Sequence, residues 1–165
     1  MIKVLLIVLC CITPVLPQNC PIEEGWKRIR LFQTTRAEAE KILETASENV
    51  DNVDKGYQIK EGWLHIAFAH SPCSNKGPGR FTVAENTVLN YRVTLTGIEL
   101  SKLNWKKDLY ERFEDPHVMN LVHYYNKKDG IRLTADITSG KEVVVRIYFE
   151  GTQETETKFL CKEYK

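Results

Sequence analysis

Apolar and polar residues alternate along much of this chain in short runs, and the gaps between many runs are no longer than hairpin turns. Leu89, Tyr91, Val93 and Leu95 alternate with Asn90, Arg92, Thr94 and Thr96. In a strand that spacing sends one set to a core and the other to water. Within 57–69, a strand or strand pair, Leu64, Ile66 and Phe68 oppose Trp63, His65, Ala67 and Ala69. After Asp129-Gly130, a third set runs Ile131, Leu133, Ala135 and Ile137, turns at Ser139-Gly140, and returns through Val143, Val145, Ile147 and Phe149. Residues 26–32, 80–84 and 157–161 are read as further strands. Ile29 and Leu31 oppose Arg28 and Arg30 in the first of these, and Thr157, Phe159 and Cys161 share a side in the last.

Two segments break this rhythm with helical spacing. Thr35-Arg36-Ala37-Glu38 fits a capping box, in which the Thr hydroxyl and the Glu carboxylate each take a backbone N–H. Behind it Ala39, Ile42, Leu43, Ala46 and Val50 form one apolar stripe, which predicts a helix over 36–49. Trp105, Leu109 and Phe113 are also helically spaced. Asp115-Pro116 resets the phase for Val118, Leu121, Val122 and Tyr125, so 105–125 reads as two short helices or one kinked helix. The order is β-α-βββ-αα-βββ. It predicts an α+β fold: a single domain in which about three helix segments pack on an antiparallel sheet.

The start of the chain has the pattern of a secretory leader. Lys3 precedes an apolar run from Val4 to Leu16, too short to span a bilayer. Residues 1–18 are expected to be removed, leaving 19–165 as the secreted domain, with no later span for a membrane. Lys+Arg number 23 and Asp+Glu 22, and loss of Lys3 brings the two into balance. A neutral chain is a poor nucleic-acid binder. Cys10 and Cys11 leave with the leader. Cys20, Cys73 and Cys161 remain as disulfide candidates in an oxidising compartment. Loop entropy separates the three pairings by only about 1 kcal/mol, so it does not choose among them. The third thiol is left for burial or for linking two chains as a dimer.

Motifs for chemistry are sparse. The chain has no His-Glu-x-x-His, Cys-x-x-Cys or Gly-x-Ser-x-Gly, so no catalytic, metal or cofactor-binding residues are assigned. His65 and His70 diverge on a strand, and His117 and His123 diverge on the expected helix. His70 near Cys73 is better read as a loop cysteine awaiting a disulfide than as a nucleophile pair. Gly77-Pro78-Gly79-Arg80 lacks the Lys-Ser/Thr of a phosphate loop and reads as a turn. Gln58-Ile59-Lys60-Glu61-Gly62 resembles the inhibitory hairpin of cystatins in the spacing of its Gln and Gly. Lys60 stands where that hairpin is apolar, and the later Pro-Trp is absent.

The chain as a whole resembles a family of small secreted nematode proteins of unassigned biochemistry, some associated with the uterine lumen. The residues that carry the likeness are Cys20-Pro21, Thr96-Gly97-Ile98, the run from Phe113 to Val122 with Tyr124-Tyr125, Asp129-Gly130 and Cys161. The resemblance implies an extracellular reproductive-tract factor that affects egg laying or retention, and no enzyme. The expected function is therefore binding of an extracellular protein partner. The alternatives are a lipid or small-ligand carrier with a cavity under the sheet, and a cystatin-like protease inhibitor acting through Gln58 and Gly62.

Overall fold

The computed structural model describes residues 21–44, 48–49, 54–74 and 77–165. The expected leader, Cys20 and the helical continuation through Ala46 and Val50 lie outside them.

The strands are β1 (Glu48–Asn49), β2 (Asp54–Ile59), β3 (Gly62–Phe68), β4 (Val88–Glu99), β5 (Glu111–Glu114), β6 (Leu121–Asn126), β7 (Ile131–Asp136) and β8 (Val143–Phe149). They form one eight-stranded sheet in the order β1-β2-β3-β4-β8-β7-β6-β5. Every pairing is antiparallel. Strands β1 to β4 make one meander and β5 to β8 another, joined where β4 pairs with β8. The helices are α1 (Arg36–Leu43) and α2 (Gln153–Phe159), with several short 3-10 turns. The architecture is thus α+β on a single antiparallel sheet, as the alternation predicts.

One face of the sheet is the core. Tyr57, Leu64, Ile66, Tyr91, Val93, Tyr124, Leu133 and Ile147 are all essentially inaccessible to solvent. Against them pack Ile22, Trp26 and Ile29 from the N-terminal segment, Ala39 and Leu43 from α1, and Leu100 from the β4–β5 connection. A smaller cluster of Phe32, Ala69, Phe81 and Leu89 sits at one end, with Phe159 of α2 stacked on Phe32 at 4.9 Å. A Cys73–Cys161 disulfide closes that end, with Cα atoms 5.7 Å apart. Beside it Cys161 N–H donates to the Arg80 carbonyl and Phe81 bridges to Leu160.

Several local elements differ from the sequence reading. Residues 26–32 are not a strand. Trp26–Arg28 form a 3-10 turn, and Lys27, Arg28 and Phe32 have positive φ. The buried apolar residues of 22–32 are Ile22, Trp26, Ile29 and Phe32, spaced by four, three and three, so a coiled segment fills the core better than an extended one. Helix α1 has the expected capping box, but it stops at Leu43, where Glu44 turns left-handed. The expected helices over 105–125 are replaced by a 3-10 turn, β5 and β6. Val122, Tyr124 and Asn126 are buried with period two, whereas Val118 and Phe113 of the helical stripes are exposed. Valine and tyrosine favour strands, and the partner strand β7 outweighs the local helical spacing. The segment 80–84 is not a strand: Arg80 ends a 3-10 turn and Phe81 makes an isolated bridge to Leu160. The last predicted strand is α2, because Thr152 accepts from the Thr155 N–H and two glutamates sit in the first turn. On β8, Val145 leaves the core face because the register shifts between Thr134↔Arg146 and Ala135↔Val144.

The Tyr91 hydroxyl fastens the N-terminal segment to the middle of the sheet. It accepts from the Trp26 N–H at 2.9 Å and donates to the Ile29 carbonyl at 2.9 Å, both buried. Phenylalanine at Tyr91 would strand both backbone groups. The expected cost is about 2–4 kcal/mol, from two buried groups left unsatisfied. Chemical denaturation of Tyr91→Phe reads it, and a loss below about 0.5 kcal/mol, as for an ordinary surface change, would contradict this role.

Candidate binding surface

The second face of the sheet has no described helix packed on it, and its residues follow from the strand registers. One row across the sheet runs Gln58, Trp63, Thr94, Arg146, Thr134, His123 and Phe113. The next row runs Gly56, His65, Arg92, Tyr148, Arg132, Tyr125 and Glu111. These are the polar partners of the core alternation, yet they include large aromatic rings. Trp63 is 39% exposed.

Arginine and tyrosine are stacked at the centre of this face. The Arg132 guanidinium lies 4.6 Å from the centre of the Tyr148 ring and that of Arg146 lies 5.8 Å from it. Arg146 also donates to the Tyr148 hydroxyl at 2.8 Å. Such packing holds a guanidinium flat and leaves N–H groups for a planar acceptor. Arg132 pairs with Glu150 at 3.3 Å. The Nε atoms of Arg92 and Arg132 are buried and make no hydrogen bond among the described residues. Arg92, Tyr148, His65, Asn90 and Glu150 line a groove of about 430 Å3. Three arginines against one glutamate make this centre locally cationic on a chain whose net charge is only +1.

At the β5 end of the face lies a group that the helical reading of 105–125 concealed. Asp115 Oδ1 accepts from the N–H groups of His117 and Val118, and Oδ2 accepts from His123 Nε2 at 2.9 Å. His123 Nδ1 meets the Thr134 hydroxyl at 3.1 Å. The network assigns the neutral ring as an Nε2–H donor to Asp115 and an Nδ1 acceptor from Thr134. The expectation that His117 and His123 diverge on a helix is corrected: His117 sits in the β5–β6 turn and His123 is on β6. The hydroxyl, imidazole and carboxylate stand in the order of a hydrolase triad, but Thr134 is only 8% exposed in mid-strand. The group works as a clasp that fixes the 115–120 turn.

The remaining candidates have structural surroundings. Cys73 and Cys161 are bonded to each other, so the Cys73, Cys161 and Glu163 group offers no thiolates to a metal. The disulfide also removes Cys73 as a partner for His70, which instead lies 3.7 Å from Glu85. Gln58 and Gly62 flank the β2–β3 turn, with Gln58 exposed. The turn itself is held down. Glu61 is buried 3.6 Å from Lys27, and its carbonyl accepts from the Thr96 N–H at 3.1 Å. A Cβ at Gly62 would stand 2.1 Å from the Thr94 carbonyl oxygen, so this backbone lies flat against β4. Beneath the sheet Trp26, Tyr57, Tyr91 and Tyr124 are buried, and a cavity of about 380 Å3 lies beside them between Ile29 and Leu31 of the N-terminal segment and Tyr91, Ile131 and Phe149 of the sheet. No described helix is long and apolar enough to cross a membrane. Comparison with family models, curated proteins and solved structures finds no match to this chain.

The hydrogen bond from His123, aided by the backbone amides of His117 and Val118, lowers the Asp115 pKa from 3.8 to about 2. A carboxylate with a depressed folded-state pKa stabilises the native state above its unfolded value. That contribution fades as pH falls through the folded one. The clasp should therefore lose its effect between pH 3.8 and about 2. Asp115→Asn should flatten the fall in denaturation midpoint over that window. Parallel acid profiles of the two proteins would refute the clasp.

Proposed function

We propose that this chain acts outside the cell as a non-enzymatic binding protein, with the open sheet face as its contact surface. The observation that carries the reading is the arginine–aromatic centre of Arg92, Arg132, Arg146 and Tyr148 beside exposed Trp63. Tyrosine, tryptophan and arginine dominate the energetics of protein interfaces, because each combines a large flat surface with a polar handle. Flat guanidinium groups favour carboxylate or other planar anionic acceptors, so the partner is an extracellular protein that presents acidic side chains.

The leader pattern and the Cys73–Cys161 disulfide support an extracellular setting, since structural disulfides are rare where thiols are kept reduced. The resemblance to secreted nematode proteins supports a reproductive fluid as that setting, with an effect on egg laying. A binding role suits a chain whose His–Asp–Thr group is built into a turn.

The test compares capture from extracellular reproductive fluid by the native chain and by Trp63→Ala/Tyr148→Ala. The variant's circular dichroism must match. Two interfacial aromatics worth about 1 kcal/mol each should together weaken retention of the partner by about thirtyfold. Equal capture by both proteins would refute this surface. A stoichiometric small ligand seen by native mass spectrometry would favour the carrier reading. Inhibition of papain-like proteases that is lost in Gln58→Ala would favour the hairpin reading.

A further inference from the structure

At one end of the sheet order, β5 has no strand on its outer side among the described residues. All four of its residues, Glu111, Arg112, Phe113 and Glu114, are exposed. The Asp115 N–H donates to the Leu121 carbonyl at 3.0 Å, and the register pairs Phe113 with His123 and Glu111 with Tyr125. Hydrogen-bonded and non-bonded pairs alternate along an antiparallel ladder. The odd-numbered residues of β5 therefore spend their backbone groups on β6. The N–H and C=O groups of Arg112 and Glu114 point out of the sheet. A free row of this kind is a template for another strand.

We propose that β5 pairs antiparallel with β5 of a second copy of this chain, about a two-fold axis at Phe113, joining the two sheets edge to edge. The outward groups require hydrogen-bonded pairs between even-numbered residues. Opposing Arg112 to its own copy would place like charges together. Moving one step on opposes Arg112 of each copy to Glu114 of the other, giving two complementary pairs. Within one chain Arg112 and Glu114 already lie 3.7 Å apart, and with the Glu114 side chain 77% exposed the pair can be exchanged for the two pairs across the axis. The same register sets the two Phe113 rings, each 45% exposed, side by side on the open face. It also opposes Glu111 to the other copy's Asp115. Both carboxylates have partners within their own chain: Glu111 pairs with Lys127 at 2.7 Å, and Asp115 accepts a hydrogen bond from His123 at 2.9 Å. Beyond the strand ends the register carries Leu109 of one copy towards the other's turn, where Val118 and Met119 stand exposed. A dimer of this form presents two open faces in one continuous sheet. The inference does not depend on the proposed function.

Sedimentation of the secreted chain and of its Cys20→Ser variant should show the same dimer, which excludes a thiol link. Arg112→Glu and Glu114→Arg should each raise the dimer dissociation constant by about tenfold or more, since both pairs become like-charged. An equimolar mixture of the two variants should recover the dimer, because each edge then complements the other. Arg112 also lies 3.6 Å from Glu142 within its own chain. Each variant also loses the internal Arg112–Glu114 contact at 3.7 Å, so recovery in the mixture and concentration-dependent exchange protection of the Arg112 and Glu114 amides test the pairing independently. A monomeric native chain at high micromolar concentration would overturn the proposal. So would native-strength dimerisation by both variants, or a folded mixture that stays monomeric.

Discussion

The buried hydroxyl of Tyr91 ties the N-terminal segment to the middle of the sheet, beside the backbone bonds that Phe32 and Thr34 exchange with Val88. Strand β4 lies in the middle of the sheet, and Tyr91 rises from it towards the core with its ring stacked on Phe149 of β8 at 4.3 Å. Its oxygen takes the Trp26 N–H and gives its proton to the Ile29 carbonyl. The N-terminal segment has no ladder of its own to satisfy these groups, and a buried polar group without a partner costs far more than a hydrogen bond contributes. Gly25 makes the approach feasible: a Cβ there would lie 2.2 Å from the Ile29 oxygen and 3.2 Å from the Tyr91 hydroxyl. Once tied, the segment lays Ile22, Trp26 and Ile29 over the sheet, and α1 follows beside it.

Covering one face so fully leaves the other with a separate character. The alternation that buries Leu64, Val93, Ile147 and Leu133 necessarily turns Trp63 or His65, Thr94 or Arg92, Arg146 or Tyr148, and Arg132 outward. An open sheet face needs only polarity to be soluble. This one carries stacked guanidinium and phenol rings, with buried arginine nitrogens that have no acceptor within the described chain. The two-meander topology also leaves β5 as a terminal strand, with charges ordered so that its own copy complements it. The face and the edge follow from the same pairing of β4 with β8 and β7 with β6, since that pairing sets which residues line up and which strand comes last.

Much of this was readable from local pattern, and the rest was not, for identifiable reasons. Strands β3, β4 and β7 show clean alternation because one side of each is buried throughout. The capping box at Thr35 and Glu38 is a contact within one turn, so sequence alone suffices. Trp105, Leu109 and Phe113 share helical spacing by coincidence: Trp105 packs on Tyr110 and Tyr124, while the other two face solvent. Thr157, Phe159 and Cys161 alternate, yet Phe159 meets Phe32 from a helix. The disulfide partner of Cys161 depended on which loop lies beside the C-terminal helix, which no spacing records. The polar residues of the open face were visible as strand halves. Their alignment into an arginine–aromatic centre depends on β4 meeting β8 across fifty residues of chain, beyond the reach of periodicity.

The most direct measurement is oxidative footprinting of the open face, on purified protein and in native extracellular fluid. In the purified protein, Trp63 and Tyr148 should label well above Trp26, Tyr57 and Tyr91. In the fluid, labelling of Trp63 and Tyr148 should fall while that of exposed Tyr164, away from the sheet, holds steady. Unchanged labelling of Trp63 and Tyr148 in the fluid would contradict the claim that this face is where the protein meets its partner.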